Sequence, residues 1–357
     1  MPRIMDKDVL NTESGIRNKK RILLYPMTFT PALRDYIWGG RNLERLYGRP
    51  LPPGPAAESW EISAHPAGST VVDAGPLQGY ALPDVFATYG AELVGRRAAW
   101  ALQRGRFPLL VKLLDAEKRL SVQVHPPDEY ALQHENGELG KTEMWYVLHA
   151  QPDARIILGL RRGVTRVDFL RAIAENRLEE VLHSLPVKPG DAVLITPGTV
   201  HAALEGLVIN EVLQNSDTTY RVYDWGRVGA DGRPRPLHVE KALDVLDFCN
   251  VEPGVLPQPI LEDQEGVVRQ HVVHSRHFVV EKITLATYGV WRGETNGETL
   301  EMWGCIAGEA SLEWPAGSVP LPAVRYCLVP AAPCRFVIRA VQSPAVLLRI
   351  YLPSEEG

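Results

Sequence analysis

The chain is poor in the features that mark several common classes of protein. Only 4 of its 357 residues are cysteines, and none of Cys249, Cys305, Cys327 and Cys334 forms a Cys-x-x-Cys pair. That speaks against a disulfide framework. Three of the four lie in apolar, strand-like stretches that suit buried free thiols, so a reducing cytoplasm fits best. No apolar run reaches the roughly 18 residues that a membrane span needs, and the N-terminus has no apolar signal core. The formal net charge is −5 and no basic run stands out beyond residues 17–21, which leaves nucleic acid an unexpected partner. Neither GxGxxG nor GxxxxGK[ST] occurs, and there is no regular strand-helix-strand repeat. Phosphate-loop and parallel α/β architectures are thereby set aside.

What is present is a chain that is 45% apolar and long enough for two domains. Residues 1–22 are polar, charged and without period, and read as a disordered lead. Short alternating strands follow, interrupted by a few helical stretches at 82–94, 126–135 and 236–246. A further helical insert is expected at 166–175, capped by Thr165, and continuing over 177–185. Strands are expected at 155–158, 192–195 and 207–213, and at 58–63, where Ser59, Glu61 and Ser63 share one face that would be either a wet edge or a wall of the site. The pattern predicts a mainly β fold, an antiparallel double-sheet jelly roll with helices inserted, over residues 23–250. A Pro- and acid-rich linker at 251–264 would then lead to a smaller C-terminal β unit at 265–357. His271, His274 and His277 recur every third residue there and share no strand face.

The most informative stretch is 107–146. Within it Gln123 and His125 are two apart on a strand and point to one face, while Val122 and Val124 point to the other. Glu143 heads the next apolar run, and His201 follows a Pro-Gly turn at 197–198 that aims it. One amide oxygen, two imidazoles and one carboxylate would form a first-row metal site whose nitrogen and oxygen donors suit zinc.

A second stretch, 207–227, carries Glu211 ten residues after His201 and ten before Arg221, with a polar turn at 214–217 between strands. Arg221, Tyr223 and Trp225 fall on one face by alternation. An arginine beside a metal suits an anionic substrate.

Four motifs in order, SVQVHP at 121–126, KTEM at 141–144, PGTVH at 197–201 and NSDTTYR at 215–221, resemble the type I mannose-6-phosphate isomerases of the cupin superfamily, with the shorter bacterial branch nearest. The resemblance implies an isomerase interconverting mannose 6-phosphate and fructose 6-phosphate through a cis-enediol(ate). It implies one Zn2+ per chain held by Gln123, His125, Glu143 and His201, an active-site arginine at Arg221, and Ser121 and Lys141 near the sugar phosphate. Either Arg221 or Lys141 would hold phosphate while the other stabilises the enediolate. Proton transfer falls to Glu211 or to a metal-bound hydroxide. Two other readings are a cupin that binds a sugar phosphate without turning it over and a metal-dependent cupin oxygenase, for which Gln-x-His is a poor iron motif. The sequence does not distinguish a monomer from a homodimer.

Overall fold

The computed structural model describes residues 22–229 and 232–354, and all but Ile22 of the expected N-terminal lead lies outside them. Two antiparallel sheets face each other. One has six strands in the order Ala192–Ile195, Glu143–Ala150, Leu207–Gln214, Leu109–Ala116, Glu58–Ile62, Ala32–Arg34. The other has five, in the order Leu182–Pro186, Arg155–Leu160, His201–Ala203, Val122–Val124, Tyr220–Tyr223. This is the expected mainly β double-sheet architecture, with helices inserted between strands.

Alternation decides what each sheet buries. On the long strands Val111 and Leu113 point to one side, with Met144, Tyr146, Val208 and Val212, and pack on the helices of 82–104 and on the C-terminal strands. Leu114, Ala116, Trp145, Val147, Leu207 and Ile209 point to the other side and meet Ile156, Leu158 and Ala203 of the facing sheet. The same inner faces continue with Lys112, Glu143 and Glu211 at the other end of the sandwich. Its interior therefore runs from apolar to charged along the strands.

The helices obey local signals where nothing competes. Thr165 and Asp168 form a reciprocal capping box on Arg166–Ala174. The stretch expected as one helix over 82–94 is two, Leu82–Tyr89 and Ala91–Val94, because Gly90 between them adopts φ 49. The helix expected over 177–185 is absent. A single 3-10 turn, Leu178–Glu180, leads instead into the strand Leu182–Pro186, which completes the edge of the five-stranded sheet beside Arg155–Leu160. Pairing to an open sheet edge outweighs the weak helical period.

The C-terminal strands form a ten-stranded sheet that is not built from C-terminal residues alone: Met27–Thr30 pairs with Arg325–Val329 on one side and with Val71–Val72 on the other. The stretch read as a linker ends in a strand, Ile260–Gln264, at the sheet edge, and Leu256 N–H donates to Ala192 O at 2.7 Å. One apolar cluster runs from Phe29 and Val111 to Met302 and Ile350. All four cysteines are unpaired, with Cys305 and Cys327 buried. No helix among the described residues is long and apolar enough to cross a membrane.

Candidate metal centre and active site

Strand register assembles the site. On the five-stranded sheet Gln123 stands directly opposite His201 on one neighbour and opposite Arg221 on the other, so three distant segments present one row. On the six-stranded sheet Trp60, Lys112, Glu211 and Trp145 form a second row across four strands, with Glu143 two residues from Trp145 on the same face. The two rows face each other.

His125, Glu143 and His201 converge, each offering a ligand atom within 4.8 Å of the others, and all three are buried. The backbone around them is fixed tightly. Gly198, at φ 85, donates its N–H to His125 O, and a Cβ there would lie 2.7 Å from Val245 O. His201 Nδ1 lies 2.9 Å from Thr199 O, and His125 Nδ1 lies 2.8 Å from Thr218 O, the latter supplied by the polar turn before Arg221. A carbonyl only accepts, so both Nδ1 atoms carry the proton and both Nε2 atoms present a lone pair to the centre. Burial, reinforced by Lys141, pushes His125 down to about 3, so its ring is neutral.

Those lone pairs point at a carboxylate. Glu143 Oε1 is 3.1 Å from His201 Nε2 and Glu143 Oε2 is 3.5 Å from His125 Nε2. Neither Glu143 oxygen nor His125 Nε2 has a hydrogen-bond partner, although Lys141 Nζ stands 2.8 Å from Glu143 Oε2 in ion-pair contact. Buried polar atoms are rarely left so, and lone pairs facing lone pairs at this range require a positive charge between them. Gln123 Nε2 lies 3.2 Å from His201 Nε2, and turning its amide over brings the oxygen to the same place. Charge balance points the same way: Lys112 and Lys141 face Glu58, Glu143, Glu211 and Asp217, and even with Glu211 only partly ionised the acids carry an excess of negative charge that a cation would offset. The residues present fit a metal.

Beside this centre lies a cavity of about 240 Å³ lined by Tyr36, Glu58, Lys112, Ser121, Gln123, Lys141, Glu211, Asp217, Arg221 and Arg235, among others. Glu211 Oε1 accepts Trp145 Nε1–H at 2.9 Å, and its Oε2 is 3.7 Å from Lys112 Nζ; its partner is not Arg221. Burial raises its carboxyl to about 7, with Glu143 adding to the effect against Lys141 and Lys112. Burial opposes the charge on Lys112, but Glu58, Asp217 and Glu211, at 3.5, 3.4 and 3.7 Å, outweigh it and raise its pKa. Arg221 donates from Nε to Ser121 Oγ at 3.3 Å and from Nη1 to Pro236 O at 2.9 Å. Burial lowers its pKa, and the adjacent Arg235 lowers it further.

Two sequence readings need correction. Ser59, Glu61 and Ser63 do not wall the cavity: Glu61 is paired with Arg49 at 2.5 Å on the opposite side of the strand, towards the C-terminal sheet, and Glu58 faces the site instead. Of the three residues expected on one face, Arg221, Tyr223 and Trp225, only Arg221 lines the cavity. A register shift between Arg221 and Tyr223 ends the alternation, and Trp225, at φ 59, turns its Nε1–H to Leu120 O. Lys112, Glu58 and Asp217 were not singled out. For Lys112 the signal was available, because a lone lysine inside the apolar run PLLVKLLDA is buried only when partnered.

Comparison with known proteins agrees with this geometry. The catalytic-domain model of type I phosphomannose isomerases matches residues 27–146. The probable mannose-6-phosphate isomerase GmuF of Bacillus subtilis is 40% identical over 237 residues, 66% of this chain and 73% of that protein. The putative mannose-6-phosphate isomerase YvyI of the same organism is 33% identical over 317 residues, 88% of this chain and 96% of that protein. A solved structure of mannose 6-phosphate isomerase from Bacillus subtilis superposes with a TM-score of 0.81 at 32% identity, covering 92% of this chain and 99% of that one.

Proposed function

The chain belongs to the type I mannose-6-phosphate isomerase family, and from that premise we propose that it interconverts mannose 6-phosphate and fructose 6-phosphate in a zinc-dependent reaction through a cis-enediol(ate). The observation that carries the proposal is the meeting of two outward-anchored imidazoles and the Glu143 carboxylate beside a cavity that Arg221 also lines. His125, His201 and Glu143, with Gln123 turned oxygen-inward, would hold one Zn2+ per chain. When bound, the ion supplies a Lewis acid toward the sugar oxygens on which negative charge grows.

The remaining work belongs to side chains. The reaction removes the C2 proton of the open-chain aldose and returns a proton to C1. Glu211 is our choice of base. It lines the cavity, is held by Trp145, and has a carboxyl pKa near neutrality, where a general base works best. Asp217 is the weaker candidate, since Lys112 and Lys141 overcome the effect of burial and lower its carboxyl. Lys112, anchored among three carboxylates and against the Trp60 ring at 4.3 Å, provides fixed positive charge that needs no reorganisation during the reaction. Lys141 is committed to Glu143, so we assign the phosphate end to Arg221 and Ser121. Residues 265–357 we read as scaffold, and the unpaired thiols as those of a cytoplasmic enzyme.

The test pairs metal analysis with a coupled assay of mannose 6-phosphate against a small panel of aldose phosphates. About one zinc per chain is expected, with mannose 6-phosphate preferred and activity lost on chelation and restored by zinc. Full activity in metal-free protein would remove the metal from the reaction, and a flat response across the panel would remove the substrate assignment.

A further inference from the structure

The sugar-phosphate reading leaves an unexplained asymmetry at the far end of the cavity. Around Arg221 stand two more guanidinium groups, Arg227 and Arg235, and one buried carboxylate, Asp224. Asp224 accepts from Arg227 Nη2 at 2.5 Å, from Arg235 Nη2 at 2.5 Å and from Arg235 Nε at 2.9 Å. Arg227 is spent on structure, since its Nη1 also donates to Arg119 O. Arg235 is not. Among the described residues Asp224 grips only its Nε/Nη2 edge, which leaves both Nη1 hydrogens and one on Nη2, and Arg235 is part of the cavity lining. Three arginines against one carboxylate leave two positive charges over, and among the described residues no carboxylate pairs with Arg221.

We propose that Arg235 is a second anion ligand of the cavity, oriented by Asp224 as a positioning residue, and that with Arg221 it selects a sugar bearing a dianionic phosphate over its uncharged counterpart. Two planar donor forks approaching one anion give bidentate recognition that a flexible lysine would not reproduce. Asp224 pins Arg235 by one edge and so lowers the entropy lost when the other edge engages a ligand. The proposal rests on the sugar-phosphate reading for its substrate but not for its anion site.

The experiment compares the wild-type enzyme with Arg235→Ala, Arg235→Lys and Asp224→Asn. The KM for mannose 6-phosphate should rise by about 10- to 100-fold in Arg235→Ala, the range of a charge-assisted hydrogen bond, with the loss falling on KM rather than on kcat. The ratio of kcat/KM on mannose 6-phosphate to that on mannose should fall by the same factor. Arg235→Lys should recover part of the loss, and Asp224→Asn should raise KM while zinc content stays constant. Calorimetric binding of inorganic phosphate to each zinc-loaded, folded protein gives a readout independent of turnover. A drop in phosphate affinity in Arg235→Ala sustains the anion site even if the wild type turns over no sugar phosphate, an outcome that would sink only the functional reading. A wild type that binds phosphate and a variant whose KM and phosphate affinity stay within about twofold of it would overturn the assignment of Arg235.

Discussion

The two halves of the molecule are both antiparallel β-structure around apolar layers, yet they treat buried charge in opposite ways. In the C-terminal sheet Glu281 and Glu301 are each 3% exposed, and both meet Arg349, at 3.1 Å for Glu281, while Arg269 Nη1 donates to the second Glu281 oxygen at 3.4 Å. Arg269 also meets Glu262 at 3.5 Å, so each acid of the cluster has a guanidinium partner, and the Arg349 guanidinium lies 4.7 Å from the Tyr351 ring centroid and 5.4 Å from that of Trp291. In the sandwich, Lys112 and Lys141 face Glu58, Glu143, Glu211 and Asp217, and the partly exposed Arg221 and Arg235 line the same cavity. Burying charge is costly unless it is paired. Paired charge of this kind suits a scaffold, whereas carboxylates that outnumber the lysines beside the convergence of His125, Glu143 and His201 suit a cation.

The sharpest attack on that contrast is at Glu211, whose neighbours are charged and whose neutral form costs little to fold. Glu211→Gln should lower kcat by about 10²–10⁴, the range of a positioned general base, and slow the exchange of solvent deuterium into C2 by the same factor. Exchange at the normal rate would move proton abstraction elsewhere and leave Glu211 a partner of Lys112.

The opposite result is expected in the balanced half. Arg349→Met strands Glu301 and leaves Glu281 with Arg269 alone, so denaturant unfolding should show a loss of about 3 kcal/mol, while kcat and KM stay within about twofold. Kinetics that changed more than stability would break the division between scaffold and site.

The smallest effect lies on the border between the two treatments. His238 Nδ1 accepts the Arg221 backbone N–H at 3.1 Å, so it works only when deprotonated. Burial, then Arg221 and Lys241, lower its pKa below 6.5. A basic group with a depressed pKa contributes stability above its unfolded pKa and loses it as pH falls towards the folded one. His238→Ala should therefore cost about 1 kcal/mol at pH 7–8, and the difference from wild type should shrink as pH falls below about 6. A difference in melting temperature that stayed constant down to pH 5 would take His238 out of the support for Arg221.

Much of this was legible in the chain because it is set by periods and turns. Period-two alternation fixes that Gln123 and His125 share a side, Pro197-Gly198 fixes the turn before His201, and Thr165 fixes a helix start. Many short alternating strands without a strand-helix-strand repeat point to an antiparallel double sheet. What could not be read is everything that depends on which strand lies beside which. The strand Leu182–Pro186 exists because an edge was open, and Glu58 rather than Glu61 faces the cavity because of how its strand sits between Lys112 and the C-terminal sheet. The use of Thr218 O, just after the polar turn, to set the proton on His125 spans 93 residues, and the grip of Asp224 on Arg235 spans 11. Sequence alone determined the donor types and the local geometry of each ligand. Tertiary structure decided their charge balance, because an unpaired charge is a property of all its neighbours at once and no single segment contains them.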